Sequence, residues 1–194
     1  RSSLAALSNG NYVVVSVNWN NGTLATDAGA VTWGSGISGV SGTISASNSL
    51  IGSSANDFVG GGGITALSNG NFVVRSSNWD ASPLVTDAGA VTWGSGSSGV
   101  TGVVSASNSL VGSSANDQAG TRQGGNGIVT LSNGNYVVTT SGWDASTMAT
   151  DAGAVTWGSG TRGVSGSISA SNSLVGSSAQ DQLGFGTAGV TALS

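Results

Sequence analysis

The sequence predicts an all-β fold built from β-propeller blades, with four antiparallel strands in each of three repeats of about 60 residues. The first observation is an eleven-residue segment, Thr-Asp-Ala-Gly-Ala-Val-Thr-Trp-Gly-Ser-Gly, which occurs unchanged at 26–36, 86–96 and 150–160. The second is Leu-Ser-Asn-Gly-Asn followed by an aromatic residue and two valines, which begins at residues 7, 67 and 131 and predicts a hairpin. The third is the absence of helical apolar spacing, in a chain whose 34 glycines would each cost a helix about 1 kcal/mol.

The order of elements is clearest in the second repeat. A short apolar stretch precedes the Asn-Gly turn, whose two residues both accept positive φ, and a Val-rich stretch returns as the second strand. The predicted strands are 64–67, 72–74, 88–93 and 103–107, with 110–112 either extending the fourth strand or forming a separate short one. A β-solenoid with about three rungs per repeat is the alternative architecture. The hairpin favours the propeller, because consecutive strands of a parallel solenoid are separated by corners.

The repeats also define the domain organisation. The predicted units are 1–63, 64–127 and 128–189, and 190–194 is the start of a fourth repeat or a closing strand. Three blades cannot close a ring, because propellers use about four to eight. The sequence therefore predicts that the repeats associate with other copies of themselves, either in a homo-oligomer or in a longer chain.

The composition excludes several classes of chemistry. The chain has no Cys, His, Lys or Glu, so zinc sites on Cys or His, Ser-His-Asp catalysis and lysine Schiff bases cannot form. A net charge of −4 with four scattered arginines argues against nucleic-acid binding. No apolar run approaches the roughly 18 residues that a membrane span needs, so no membrane insertion is expected. Six of the eight aspartates recur once per repeat, as structural positions do, and we expect no enzymatic activity.

Two sets of tryptophans recur in the repeats. Trp33, Trp93 and Trp157 end a predicted strand, and we expect them to pack between adjacent blades. The second set lies in a polar loop beside Asn or Asp, where an indole can stack on a sugar ring while its neighbour binds hydroxyls. The candidate ligand-binding residues are Trp19, Trp79, Asp80, Trp143 and Asp144. The alternative role for these tryptophans is an aromatic lid that closes the blade edge.

The recurring aspartates are the only candidate metal ligands. They are Asp27, Asp87 and Asp151 before Ala-Gly, and Asp57, Asp117 and Asp181 in the turn after Ser-Ser-Ala. An aspartate at a loop-to-strand junction usually accepts backbone N–H bonds, whereas Ca²⁺ needs six to eight oxygens. One carboxylate per loop predicts at most weak calcium binding, and we expect no other cofactor.

A family resemblance appears when the repeat is rephased to begin at Ser109. It then reads Ser-Leu-Val-Gly-Ser-Ser-Ala-Asn-Asp-Gln-Ala-Gly, continues through the Asn-Gly hairpin and a Trp-Asp loop, and ends in Gly-Ala-Val-Thr-Trp at Trp157. This order resembles FG-GAP-type repeats, the blades of integrin-α-like β-propellers. Val59, Ala119 and Leu183 stand in place of the phenylalanine of Phe-Gly, and the family's Asp-rich calcium loop is absent. The repeated sequence also resembles the repeat arrays of filamentous-haemagglutinin-like adhesins. This resemblance implies secretion and display at a bacterial surface.

Two functions fit these features. The first is a non-enzymatic extracellular module of a bacterial surface or secreted protein, which adheres to a protein or glycan ligand through its blade loops. Differences between the repeats cluster in the loop at 17–25 and in the turn at 58–63, and this clustering favours binding. The alternative is a structural protein that assembles through its repeats into a ring or fibre, because a surface with 6% charged residues offers little repulsion against self-association.

Overall fold

A computed structural model describes residues 2–122, 125–186 and 190–192, and their regular structure consists of β-strands without a helix. The first repeat contains β1 (Ser2–Ala6), β2 (Tyr12–Ser16), β3 (Ala30–Gly34) and β4 (Ser49–Ile51). The second contains β5 (Gly63–Ala66), β6 (Phe72–Ser76), β7 (Ala90–Gly94), β8 (Gly102–Val103) and β9 (Ser109–Val111), and the short strands β10 (Thr121–Arg122) and β11 (Gly125–Asn126) follow. The third contains β12 (Ile128–Thr130), β13 (Tyr136–Thr140), β14 (Ala154–Gly158), β15 (Gly166–Ser167) and β16 (Ser173–Val175). The predicted all-β repeat fold is confirmed.

Each repeat forms a four-stranded antiparallel meander. The sheets run β1-β2-β3-β4, β5-β6-β7-β9 and β12-β13-β14-β16. Where the second strand of each sheet pairs with the third, an aromatic residue lies opposite the glycine of Trp-Gly. In the second repeat, Phe72 of β6 lies opposite Gly94 of β7. A Cβ on Gly94 would lie 2.2 Å from the Phe72 ring, so the glycine leaves the space that the ring occupies.

The fourth strand differs from its predicted position at 103–107, and the short strand predicted at 110–112 forms separately as Ser109–Val111. The strand that completes the second sheet is β9, whereas β8 leaves this sheet and pairs in parallel with β4 of the first repeat. Between them, the Asn108 side chain accepts a bond from the Ser105 N–H (3.0 Å) and donates to the Val103 carbonyl (2.9 Å). This side-chain turn ends β8 and starts β9. Each of the first two sheets thus gains a fifth strand from the following repeat.

The Asn-Gly hairpin forms as predicted, but its turn is of another type. The Gly10 N–H donates to the Leu7 carbonyl (3.1 Å), and only Gly10 of the pair has positive φ. The turn therefore spans four residues with a left-handed glycine, and it is not a two-residue primed turn. Asn9 does not adopt a positive φ, and its side-chain amide bonds a residue outside the turn.

The hydrophobic core lies between consecutive repeats. One cluster joins Val13 and Leu50 to Phe72 and Val74, and a second joins Val73 and its neighbours to the third repeat. Alternate residues of β6 therefore face opposite neighbours, and all of Phe72–Val74 is buried. In β2 the burial alternates, because only one of its faces meets another repeat.

The sheets of the described residues close into neither a propeller nor a barrel. The described part of the chain also contains no helix that is long and apolar enough to cross a membrane.

Candidate functional site

A single backbone carbonyl organises the contact between the first two repeats. The Gly96 oxygen accepts hydrogen bonds from Asn9 Nδ2 (2.8 Å), Asn11 Nδ2 (2.8 Å) and Trp33 Nε1 (2.9 Å). All three donors belong to the first repeat and the acceptor belongs to the second. Because three donors converge on one atom, they fix both the spacing and the orientation of the two sheets.

The next pair of repeats uses the same arrangement. The Gly160 oxygen accepts from Asn69 Nδ2 (2.8 Å), Asn71 Nδ2 (2.8 Å) and Trp93 Nε1 (3.0 Å). The unchanged Trp-Gly-Ser-Gly segment thus supplies an indole donor to the following repeat and a carbonyl acceptor to the preceding one. Trp33 and Trp93 pack between repeats as predicted, whereas Trp157, the third member of the predicted set, is 56% exposed.

We expect Asn71→Asp to lower the free energy of unfolding by roughly 2 kcal/mol, because it replaces a donor by an oxygen that faces the Gly160 carbonyl. The substitution preserves shape and keeps the oxygen that accepts from the Gly96 N–H (2.8 Å). Urea denaturation of the purified chain measures the change. Asn135→Asp is the matched control, because Asn135 keeps the equivalent bond from the Gly160 N–H (2.9 Å) and has no following repeat among the described residues. Equal losses in the two variants would contradict the interpretation.

The candidate calcium ligands Asp57 and Asp117 accept backbone hydrogen bonds within and between repeats. Asp117 Oδ2 accepts from the N–H groups of Ser113 (2.7 Å) and Ser114 (2.8 Å), and Oδ1 accepts from Asp144 N–H of the next repeat (3.0 Å). Asp57 makes the same three bonds, the last from Asp80 N–H (3.0 Å). Both residues are 0% exposed.

Asp181 is the counterpart at the end of the third repeat and is exposed. It accepts the two local bonds, from Ser177 and Ser178 N–H (both 2.9 Å). Burial raises the pKa of Asp57 and Asp117 in spite of their N–H donors, whereas the N–H donors lower the pKa of Asp181. The three carboxylates have the same local loop and differ in whether a following repeat covers them.

The other calcium candidates close the loop that carries the second tryptophan set. Asp87 has positive φ, and its N–H donates to Asp80 Oδ1 (2.8 Å), while Gly89 N–H donates to the Trp79 carbonyl (3.0 Å). Asp151 repeats this bond with Asp144 (2.8 Å), and Asp27 repeats it with the amide oxygen of Asn20 (2.8 Å). Because an amide replaces the carboxylate in the first repeat, the loop requires an acceptor and not a charge. The described residues contain no group of three or more acidic side chains placed to hold a metal ion.

The loop tryptophans have their own packing role. Trp79 and Trp143 are each 6% exposed and belong to the two inter-repeat cores, and Trp143 Nε1 donates to Ser113 Oγ of the preceding repeat (3.1 Å). Trp19, which has no preceding repeat among the described residues, is half-buried. The structure therefore leaves Asp80 and Asp144 half-buried, each bonded within its loop, and buries Trp79 and Trp143 against the preceding repeat.

Sequence reasoning missed the most exposed apolar side chains of these loops. They are Leu24, Leu84 and Met148, which are 93%, 91% and 89% exposed. Aligning the repeats places all three at one position, between a hydroxyl or proline residue and a small apolar one. This repeated apolar position within a polar loop is the signal that would have found them. We call these three residues the loop tips.

The fold and the loops together define an all-β repeat protein whose units interlock through one repeated interface. Residues 6–61, 66–121 and 130–185 match the repeat of unknown function DUF5650, and the chain belongs to that family. No curated protein matches the chain. No solved structure matches it either.

Proposed function

We propose that the chain is a non-enzymatic, extracellular module of a bacterial surface or secreted protein, which binds a ligand through the loops of its repeats. The observation that carries the proposal is the set of loop tips, because each repeat exposes one large apolar side chain at the same place. An apolar residue that is almost fully exposed gains free energy when a partner covers it. Three such residues, at equivalent positions of successive repeats, offer one partner three similar contacts.

The loops that carry the tips are held in shape before any ligand binds. In the second repeat, Ala81 N–H donates to the Val85 carbonyl (3.0 Å) and Val85 N–H donates to the Ser82 carbonyl (3.0 Å), directly around Leu84. The third repeat makes the same pair of bonds around Met148. A loop that is already ordered loses little conformational entropy on binding, which favours affinity.

A groove beside the second loop supports a glycan as one ligand class. It has a volume of about 730 Å³ and is lined by Trp79, Asp80, Pro83, several serines and three valines. The serines and Asp80 of this lining supply hydroxyl and carboxylate partners for sugar hydroxyls. The exposed loop tips instead support an apolar protein surface as the ligand.

The propeller interpretation and the FG-GAP-type resemblance are part of the same proposal. The four-stranded antiparallel meanders and their face-to-face packing support blades over solenoid rungs, since a solenoid pairs its strands in parallel. Calcium is not required by this proposal, because backbone N–H groups bond the buried carboxylates.

Replacing all three loop tips by serine tests the binding function. We expect the parent chain to bind at least one partner on a glycan or extracellular-matrix protein array, and the triple variant to bind it at least about tenfold more weakly. Urea denaturation should show unchanged stability, because these side chains are exposed. Ile37→Ser is the matched control, since Ile37 is fully exposed in a different loop. Equal binding by parent and triple variant, or no array partner for the parent, would refute the proposal.

A structural role is the second candidate function. The specific observation that favours it is the repetition of one interface, with three donors on Gly96 and three equivalent donors on Gly160. A protein that stacks identical units through identical contacts can extend by adding units. Its low charge offers little repulsion between neighbouring molecules.

A further inference from the structure

Among the described residues, nothing covers the face of the third repeat that corresponds to the face buried in the first two repeats. Leu174 is 68% exposed, whereas its counterparts Leu50 and Leu110 are 0% exposed. Trp157 is 56% exposed, whereas Trp33 and Trp93 each donate to the following repeat. We call this surface the trailing face.

The trailing face also ends in a strand edge that lacks, among the described residues, the partner that the other sheets have. In the first sheet, Leu50 and Ile51 of β4 pair in parallel with β8, and in the second sheet β9 pairs in the same way with β15. The third sheet ends at β16. An uncovered strand edge with an apolar face beside it favours the addition of another strand.

The first repeat presents the complement of this surface. Gly36 is exposed, whereas its counterparts Gly96 and Gly160 are buried and accept three hydrogen bonds each. Residues 42–43, which correspond to β8 and β15, are not in a strand. Beside them lies a pocket of about 150 Å³ lined by apolar and small residues, including Val14, Val40 and Ile44. We call this surface the leading face.

We propose that the trailing face of one molecule binds the leading face of a second copy of this chain, head to tail, through the same contacts that join its repeats. The established register places Leu174 opposite Gly42 of the second copy, in a parallel strand pair. Trp157 Nε1 then donates to the Gly36 carbonyl, and Asp181 Oδ1 accepts from the Asn20 N–H. The second copy is the occupant because the interface is continuous with two interfaces already present within the chain.

This inference rests on the structural function and is independent of ligand binding by the loop tips. A head-to-tail contact uses two different surfaces of one molecule, so it leaves a free surface at each end of the complex. Such contacts produce rings when the rotation closes and filaments when it does not.

Two variants that block opposite faces test the proposal. Leu174→Glu places a charge on the trailing face and Val40→Glu places one on the leading face, and both sites are exposed enough to keep the fold. Sedimentation velocity from about 1 μM to about 1 mM covers the affinities of weak interfaces. We expect the parent to exceed twice the monomer mass of 18.6 kDa as concentration rises, and each variant alone to remain monomeric.

An equal mixture of the two variants is the decisive sample. Each molecule then has one intact face, so the mixture should form dimers that grow no further. Leu84→Glu is the matched control, because it adds the same charge to an exposed leucine at a loop tip and should associate as the parent does. Asn135→Asp, which keeps the local bond from Gly160 N–H, is a second trailing-face variant that should weaken association.

Three results would overturn the proposal: a parent that stays monomeric throughout the range, single variants that associate like the parent, or a Leu84→Glu variant that fails to associate. The array measurement uses dilute protein and the triple serine variant, whereas association is measured by sedimentation of the parent and the glutamate variants. Loss of the binding function and loss of head-to-tail association therefore give separate readouts.

Discussion

Asp117→Ala is expected to lower the free energy of unfolding by roughly 3 kcal/mol, measured by urea denaturation at neutral pH. The substitution removes the acceptor of two N–H bonds in its own loop and of the Asp144 N–H bond from the third repeat. It also leaves a small void where a side chain is completely buried. Relief of the burial that raises the pKa of Asp117 offsets part of this loss.

Asp181→Ala is the control that separates the local loop from the inter-repeat contact. Asp181 accepts the two local bonds but is exposed, so water replaces the lost acceptor and the expected change is below about 1 kcal/mol. If both substitutions cost the same, the bond to the next repeat contributes nothing and the interlocking of repeats through this carboxylate is wrong.

Gly89→Ala is expected to destabilise the chain by at least about 4 kcal/mol, and the variant protein is expected to be largely unfolded at 37 °C. Gly89 has a φ of +72°, and a Cβ there would lie 2.3 Å from the Ala119 nitrogen. This neighbour is backbone, and its N–H is bonded to the Ala88 carbonyl (2.9 Å), so it cannot move away without breaking that bond. Circular dichroism with thermal unfolding measures the effect.

Gly22→Ala matches the backbone conformation without the overlap. Its φ is +74°, and a Cβ added there would meet no heavy atom within 4 Å. The cost should be the left-handed conformation alone, about 1–2 kcal/mol. A Gly22→Ala variant as unstable as Gly89→Ala would show that conformation, and not the close backbone approach, explains why a glycine stands at position 89.

The fold class and the hairpins could be predicted because they depend on local sequence. Asn-Gly marks the turn, and the valines after it form the second strand in all three repeats. The pairing of β8 with the sheet of the first repeat could not be predicted. A strand of only two residues, Gly102 and Val103, has no alternation of apolar and polar residues that would indicate which sheet it joins. Their partner strand belongs to the preceding repeat, and only the packing of whole repeats brings the two together.

The candidate site was harder to predict than the fold. Whether Trp79 faces a ligand or the preceding repeat depends on a neighbouring unit. Its neighbours along the sequence, Asn78 and Asp80, are polar in either case. Asp57 and Asp117 have the chemistry of both a metal ligand and an N–H acceptor, and only their position beneath the next repeat distinguishes the two roles. The loop tips are visible in the sequence only as a column of Leu, Leu and Met once the repeats are aligned.

The convergence of three donors on one glycine carbonyl also bears on how such a chain changes length in evolution. Every repeat carries both halves of the joint: the donors are the two asparagines of Asn-Gly-Asn and a tryptophan, and the acceptor is the glycine three residues after that tryptophan. An in-frame duplication or loss of one whole unit in the gene would therefore create a junction with the same contacts as those already present. The three-donor contact therefore needs no compensating substitution when the number of repeats changes.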